Sequence, residues 1–175
     1  VNLFREENIP LSTEVQLKSK DYGRIFSEMT IGLNGKQMTL QKAGTLLEEV
    51  DRNCREAVFH KINQRILQDT EQLEDLFSEL LLKRHQMAQN AGFDNFRDYK
   101  FKILGRFDYS VEDCYNFHDS IRYEILPLVE ELNRYRKETL NLQHLRPWDL
   151  NVDTSGKAPL RPFENVQELV NKSIR

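Results

Sequence analysis

The side chains able to do chemistry are four histidines, two cysteines and several carboxylate pairs, and their spacing decides what each can do. His60, His85, His118 and His144 are separated by 25, 33 and 26 positions, so no two share a helical turn. A hydrolytic zinc helix needs two imidazoles four residues apart, with a Glu between them to polarise the bound water. None of the four histidines is followed by Glu, and none has a second His four residues on. Cys114 and His118 do stand at i and i+4, a ligand spacing, but lack a water-activating carboxylate and an identifiable third ligand. No catalytic and no metal-ligating residue is therefore assigned. Glu48-Glu49, Glu130-Glu131 and Glu71 with Glu74 read as solvated helix faces. No glycine-rich phosphate loop occurs. Cys54 and Cys114 lack a Cys-His-Asn setting and read as reduced structural thiols.

The elements that must position these groups follow from length and pattern. The 175 residues carry a net charge of -3, with 30% charged and 39% apolar side chains, a helix-friendly mixture sufficient for one core. That charge gives no support to nucleic-acid binding. No apolar run approaches the length of a membrane span, and the N-terminus lacks the order of a signal peptide, so neither membrane nor nucleic acid is an expected partner. A cytoplasmic location is the expectation. The chain begins at Val1 rather than Met and stops at Arg175 within a helical pattern, which suggests a piece of a larger protein.

Residues 1–11 read as irregular, with Asn8 and Pro10 breaking any helix and Ser12 or Thr13 capping one that carries Val15, Leu17, Tyr22, Ile25 and Phe26. Asn34-Gly35 predicts a type I′ hairpin within 28–40. In that register Leu33 faces Lys36, Ile31 faces Met38 and Met29 faces Leu40, with Thr30 and Thr39 paired on the other face. A helical bundle is expected over 41–140. Asp51 or Asn53 caps a pattern that runs from Cys54 to Ala91, which Asp69-Thr70 could split but which favours one helix of about 40 residues, roughly 60 Å long. Leu80-Leu81-Leu82 cannot share one face, so apolar surface is expected to point outward. A further helix spans Val111 to about Leu140, kinked by Pro127 rather than ended by it, with Asn141 as its C-terminal cap. The stretch 141–162 is proline-containing and mostly irregular, with a short strand at Trp148–Val152, and a terminal helix covers 163–174.

The densest punctuation lies between Met87 and Tyr109. Gly92 ends one helix and Phe93 supplies the hydrophobic contact of such a cap. Asp94 and Asn95 cap a short helix with Phe96, Tyr99, Ile103 and Leu104, Gly105 closes it, and Ser110 opens the next with a capping box to Asp113. Arg97, Asp98, Arg106 and Asp108 are placed to pin this corner by ion pairs.

The order Asn-Ala-Gly-Phe-Asp-Asn-Phe-Arg-Asp-Tyr at 90–99 and Gly-Arg-Phe-Asp-Tyr at 105–109 resembles the oligoendopeptidase F-like branch of the thimet-oligopeptidase family of zinc metallopeptidases. So do Asn34-Gly35-Lys36 with Thr39-Leu40-Gln41, Asp51 to Arg55, and Leu145 to Asp149. The resemblance implies a mainly α fold, with long bundled helices and one small hairpin forming part of a helical clamshell. It implies a zinc-dependent parent enzyme hydrolysing short peptides, of which this chain is the inactive segment upstream of the His-Glu-x-x-His motif. Zinc would belong to the parent and none is expected in this segment. Its partner would be the remainder of the same chain. Tyr99, Arg106 and Tyr109 are the candidate substrate-channel residues. The alternative reading is a non-enzymatic helical scaffold or partner-binding module.

Overall fold

The computed structural model describes residues 3–174 and is mainly helical with one hairpin. The first helix, α1, covers Asn8–Glu28 and so begins earlier than Pro10 suggests. Pro10 falls in the first turn, where its missing N–H costs no helical hydrogen bond and its fixed φ suits the helix. Gly23 sits inside α1 without ending it.

Strands β1 (Thr30–Leu33) and β2 (Lys36–Thr39) pair antiparallel. Thr30 faces Thr39, Ile31 faces Met38 and Leu33 faces Lys36, the register expected from Asn34-Gly35. Asn34 and Gly35 have φ of 51° and 75°, the two positive values a type I′ turn requires. Met29 caps α1 and is fully buried, so the apolar face continues past the ladder. A short α2 (Leu40–Gly44), capped by Thr39, and a 3₁₀ turn (Thr45–Glu48) follow. Helix α3 (Arg52–Gln68) is capped by Asp51, whose carboxylate accepts from the Asn53 N–H. Ile31, Ala43 and Val58 form the buried centre where hairpin, α2 and α3 meet, edged by Leu46, Leu47 and Ile62. A two-stranded hairpin is marginal alone, and this helical floor stabilises it.

The expected 40-residue helix is two helices. Asp69 leaves helical geometry (φ -105°, ψ 17°), its N–H bonds Ile66 O, and α4 (Thr70–Asn90) starts on a new axis. The Asp69 carboxylate accepts from Arg65 Nη1 at 2.6 Å, an i,i+4 pair at the end of α3. Two partners impose two axes: α3 packs on the hairpin while α4 packs antiparallel on α1. That pair is tied by Lys18–Glu79 (2.6 Å) and by Lys83 with Glu14. At its closed end, Asn8 Nδ2 donates to Met87 O and Asn8 Oδ1 accepts from Asn90 Nδ2.

Helix α5 (Phe96–Ile103) follows the corner. The helical pattern after it holds through Pro127 as α6 (Val111–Ser120), a π turn (Ile121–Ile125) and α7 (Leu126–Thr139). Within the π turn Leu126 N–H reaches Ile121 O. The widened turn makes room for a ring that would otherwise strike the carbonyl of residue i−4. Asn141 (φ 51°) closes α7, as expected. Trp148–Val152 is not a strand: Pro147–Asp149 forms a 3₁₀ turn against α3. The terminal helix α8 covers Val166–Ser173, beginning at Asn165 rather than at Phe163, because the Asn165 side chain caps Glu168 N–H.

Candidate functional site

The corner between α4 and α6 is built by caps. Gly92 has φ 80°, and Phe93 N–H returns to Ala88 O at 2.9 Å, a bond that only a left-handed residue permits there. Gly105 (φ 65°) repeats the device, with Arg106 N–H to Phe101 O at 3.0 Å. Asn95 caps α5 by accepting from Asp98 N–H. Ser110 and Asp113 form the capping box of α6, and the Ser110 hydroxyl and N–H hold the Asp113 carboxyl below its ordinary range.

Two faces of this corner differ. On the inner face Tyr99 is 3% exposed, packed with Ala88 and Ala91 and ringed by Phe93 (5.6 Å) and Phe96 (6.1 Å). Its hydroxyl accepts from Asn8 Nδ2 at 3.4 Å. On the outer face an open depression of about 430 Å³ is lined by Phe101, Lys102, Arg106, Phe107, Asp108 and Tyr109 among others. Arg106 lies over the Phe101 ring (5.2 Å) and Lys102 over the Phe107 ring (5.3 Å), while Tyr109 meets Phe101 edge-on (5.9 Å). Arg106 and Tyr109 thus share one surface, and Tyr99 is not among the residues that line it. Stacked cations on aromatic rings can engage an aromatic side chain or a carboxylate of a peptide. They supply neither nucleophile nor general base. The Arg97–Asp98 pair forms at 2.8 Å, whereas Arg106 is engaged by a ring.

A second polar centre was not legible as a site. Asp149, fully buried, accepts from Arg52 through Nε and Nη2 (both 2.9 Å), from Arg55 Nη2 (3.0 Å) and from Arg146 N–H (3.0 Å). Arg55 spends its other donors on the carbonyls of Glu49, Val50 and Trp148. Burial pushes the Asp149 carboxyl up, but these donors outweigh it and leave the group below the usual carboxylate range. The Asp149 carboxylate and the Arg55 guanidinium are satisfied internally, whereas the buried Trp148 Nε1 finds no hydrogen-bond acceptor, and the centre is a clasp joining the 146–152 segment to α3. The sequence signal was present in pieces: Arg52 and Arg55 share a helical face at i and i+3, and Arg146 to Asp149 is compact and turn-like.

Among the described residues no group of three His, Cys, Asp or Glu side chains is placed to hold a metal ion. Cys114 is half-buried and His118 exposed, with the Tyr115 ring as the aromatic neighbour of His118 at 6.3 Å.

The architecture is that of helical oligopeptidases. An oligoendopeptidase F assignment from Bacillus anthracis str. Ames matches with a TM-score of 0.87 at 20% identity, covering 98% of this chain and 31% of that one. A second oligoendopeptidase F assignment, solved at 3.1 Å, matches with 0.89 at 19% identity, covering 98% and 30%. PZ peptidase A with an inhibitor matches with 0.88 at 19% identity, covering 98% and 30%. The chain therefore spans less than a third of the length of each. A comparison with curated protein sequences finds no match. The model of peptidase family M3 matches residues 45–172, and the chain belongs to that family.

Proposed function

We propose that this chain is the non-catalytic upstream segment of a zinc metalloendopeptidase that hydrolyses short peptides, and that it forms part of one wall of the substrate channel. The observation that carries the reading is the family match over 45–172 in a chain whose histidines sit too far apart for a zinc helix. Zinc and the water-activating Glu belong to the remainder of the parent chain, which is this segment's partner. Arg106 and Tyr109 are the side chains proposed to meet peptide, supported by their shared open depression. Tyr99, buried against Ala88 and Ala91, does not line that depression. A cytoplasmic parent accords with two free thiols, and no described helix is long and apolar enough to cross a membrane.

The test is the parent reading frame. Its continuation past Arg175 into a His-Glu-x-x-His helix, with zinc-dependent cleavage of short peptides by the full protein, is the expected result. Within that enzyme Arg106→Ala and Tyr109→Ala should raise KM with little change in kcat, the mark of lost ground-state binding. A parent that lacks the motif and cleaves nothing would leave the scaffold reading in its place.

A further inference from the structure

We propose that the recess between the start of α3 and the 141–148 segment binds the C-terminal carboxylate of a short peptide, with Arg52 and Arg146 as its anion receptors. The inference stands apart from the proposed channel wall and from the depression around Arg106, and it holds whether or not the parent cleaves peptides. The recess measures about 360 Å³, a size suited to a small ligand, and its lining includes Arg52, Glu56, Asn141, Gln143, Arg146 and Trp148.

Arg52 is fixed as a receptor before any ligand arrives. Its Nε and Nη2 both donate to Asp149 at 2.9 Å, and its guanidinium carbon lies 5.8 Å from the centre of the Trp148 ring. One edge of the fork is thereby spent. Nη1 is left over without an acceptor among the described residues, on a side chain that is 38% exposed. A guanidinium held by a carboxylate on one edge and a ring on its face loses little freedom on binding a second carboxylate. Arg146 comes from the opposite wall. Its backbone N–H reaches the same Asp149 carboxylate at 3.0 Å, which sets its stem beside Arg52. Its guanidinium has no hydrogen-bond or ion-pair partner among the described residues.

Charge and hydrogen bonding select the ligand. Arg52, Arg55 and Arg146 stand against Asp149 and Glu56, three charges against two. One positive charge remains, the complement of a single carboxylate rather than of a dianion. The side-chain amides of Asn141 and Gln143 border the same recess. Each offers a donor and an acceptor, the complement of a peptide's last amide group. A simple carboxylic acid leaves them unused.

Trp148 is the only tryptophan of the chain, so its fluorescence reports on this recess directly. N-acetylglycine, titrated at constant ionic strength, should change the emission saturably at millimolar concentrations, the range for so small a ligand. N-acetylglycinamide lacks the carboxylate and should bind about tenfold more weakly. Propionate lacks the amide and should bind about fivefold more weakly. Arg146→Ala should weaken N-acetylglycine about tenfold with an unchanged melting temperature, since that guanidinium holds nothing in the fold. Arg52→Lys keeps the charge but loses the fork, and should weaken it by a similar factor. Should Arg146→Ala melt lower, the comparison of N-acetylglycine with its amide on the wild-type chain still decides. The proposal is overturned by emission that does not saturate below about 100 mM, or by an equal response to N-acetylglycinamide. It is overturned equally by propionate binding as tightly as N-acetylglycine, or by a folded Arg146→Ala chain that binds like the wild type.

Discussion

Arg55 Nη2 stands 3.0 Å from Asp149 Oδ1, and the two residues are 94 positions apart in the chain. Both are buried, at 3% and 0% exposure. Arg55 holds the carbonyls where the 3₁₀ turn enters α3, and Asp149 holds the N–H of Arg146, so one ion pair fixes two backbone turns against one helix. Removing one partner leaves the other charge buried without compensation. Asp149→Ala should cost about 3 kcal/mol of unfolding free energy. Arg52→Ala should cost about 1 kcal/mol or less, because Arg52 is partly solvated. Urea unfolding followed by circular dichroism checks both, and similar losses for the two would contradict the clasp.

The same pair gives a pH dependence. The folded-state carboxyl of Asp149 titrates below its unfolded value of about 3.9. A depressed acid contributes stability that is fully present above the unfolded value and is lost as pH falls through the folded one. The urea midpoint should therefore drop more steeply below about pH 4 in the wild type than in Asp149→Asn. Parallel pH profiles for the two proteins would show that Asp149 does not carry the effect.

Two glycines should respond with opposite signs. Gly23 lies inside α1 with nothing within 4 Å of a built Cβ, so Gly23→Ala should stabilise by about 0.5–1 kcal/mol. Gly92 has equal space but φ 80°, and Gly92→Ala should destabilise by about 1 kcal/mol through strain alone. Thermal melting settles it; shifts of the same sign would mean that space rather than backbone geometry governs these sites.

The corner should divide energetically along its two faces. Tyr99→Ala removes a buried ring and should cost about 4 kcal/mol. Arg106→Ala and Tyr109→Ala border open solvent and should change stability by less than about 0.5 kcal/mol each. Equilibrium denaturation of the three variants is the measurement. A large loss at Arg106 would make it a structural residue rather than a free binding group.

Metal analysis of the dialysed chain should find far less than stoichiometric zinc, and the chain alone should leave short peptides uncleaved. A zinc site needs about three protein ligands, and Cys114 with His118 offers two. One zinc per chain, lost in the Cys114→Ala, His118→Ala double variant, would mean that a third ligand had been overlooked.

Local chemistry was legible from the sequence. Asn34-Gly35 set the hairpin and its register, because two adjacent positive φ values leave few other choices. Gly92, Gly105, Asn95, Asn141 and the Ser110–Asp113 box marked helix ends, since each satisfies backbone groups within a few residues of itself. The helical pattern ran on past Pro127 through a π turn rather than ending there, because the apolar spacing resumed beyond it.

What depended on distant partners was decided by the tertiary structure. Asp69 ends α3 because α3 and α4 serve different neighbours, and no propensity at Asp69 records that. Tyr99 turns inward and Arg106 outward, because α1 supplies Asn8, whose Nδ2 donates to the tyrosine hydroxyl. Trp148–Val152 has the composition of a strand but no neighbouring strand to pair with, and Arg52 and Arg55 draw it into a 3₁₀ turn instead. Phe117, Leu128 and Leu132 read as core, and periodicity cannot tell a core side chain from one on a helix to which the fold gives no partner. Hydrophobic spacing states that a face must be covered; only the arrangement of the whole chain states by what.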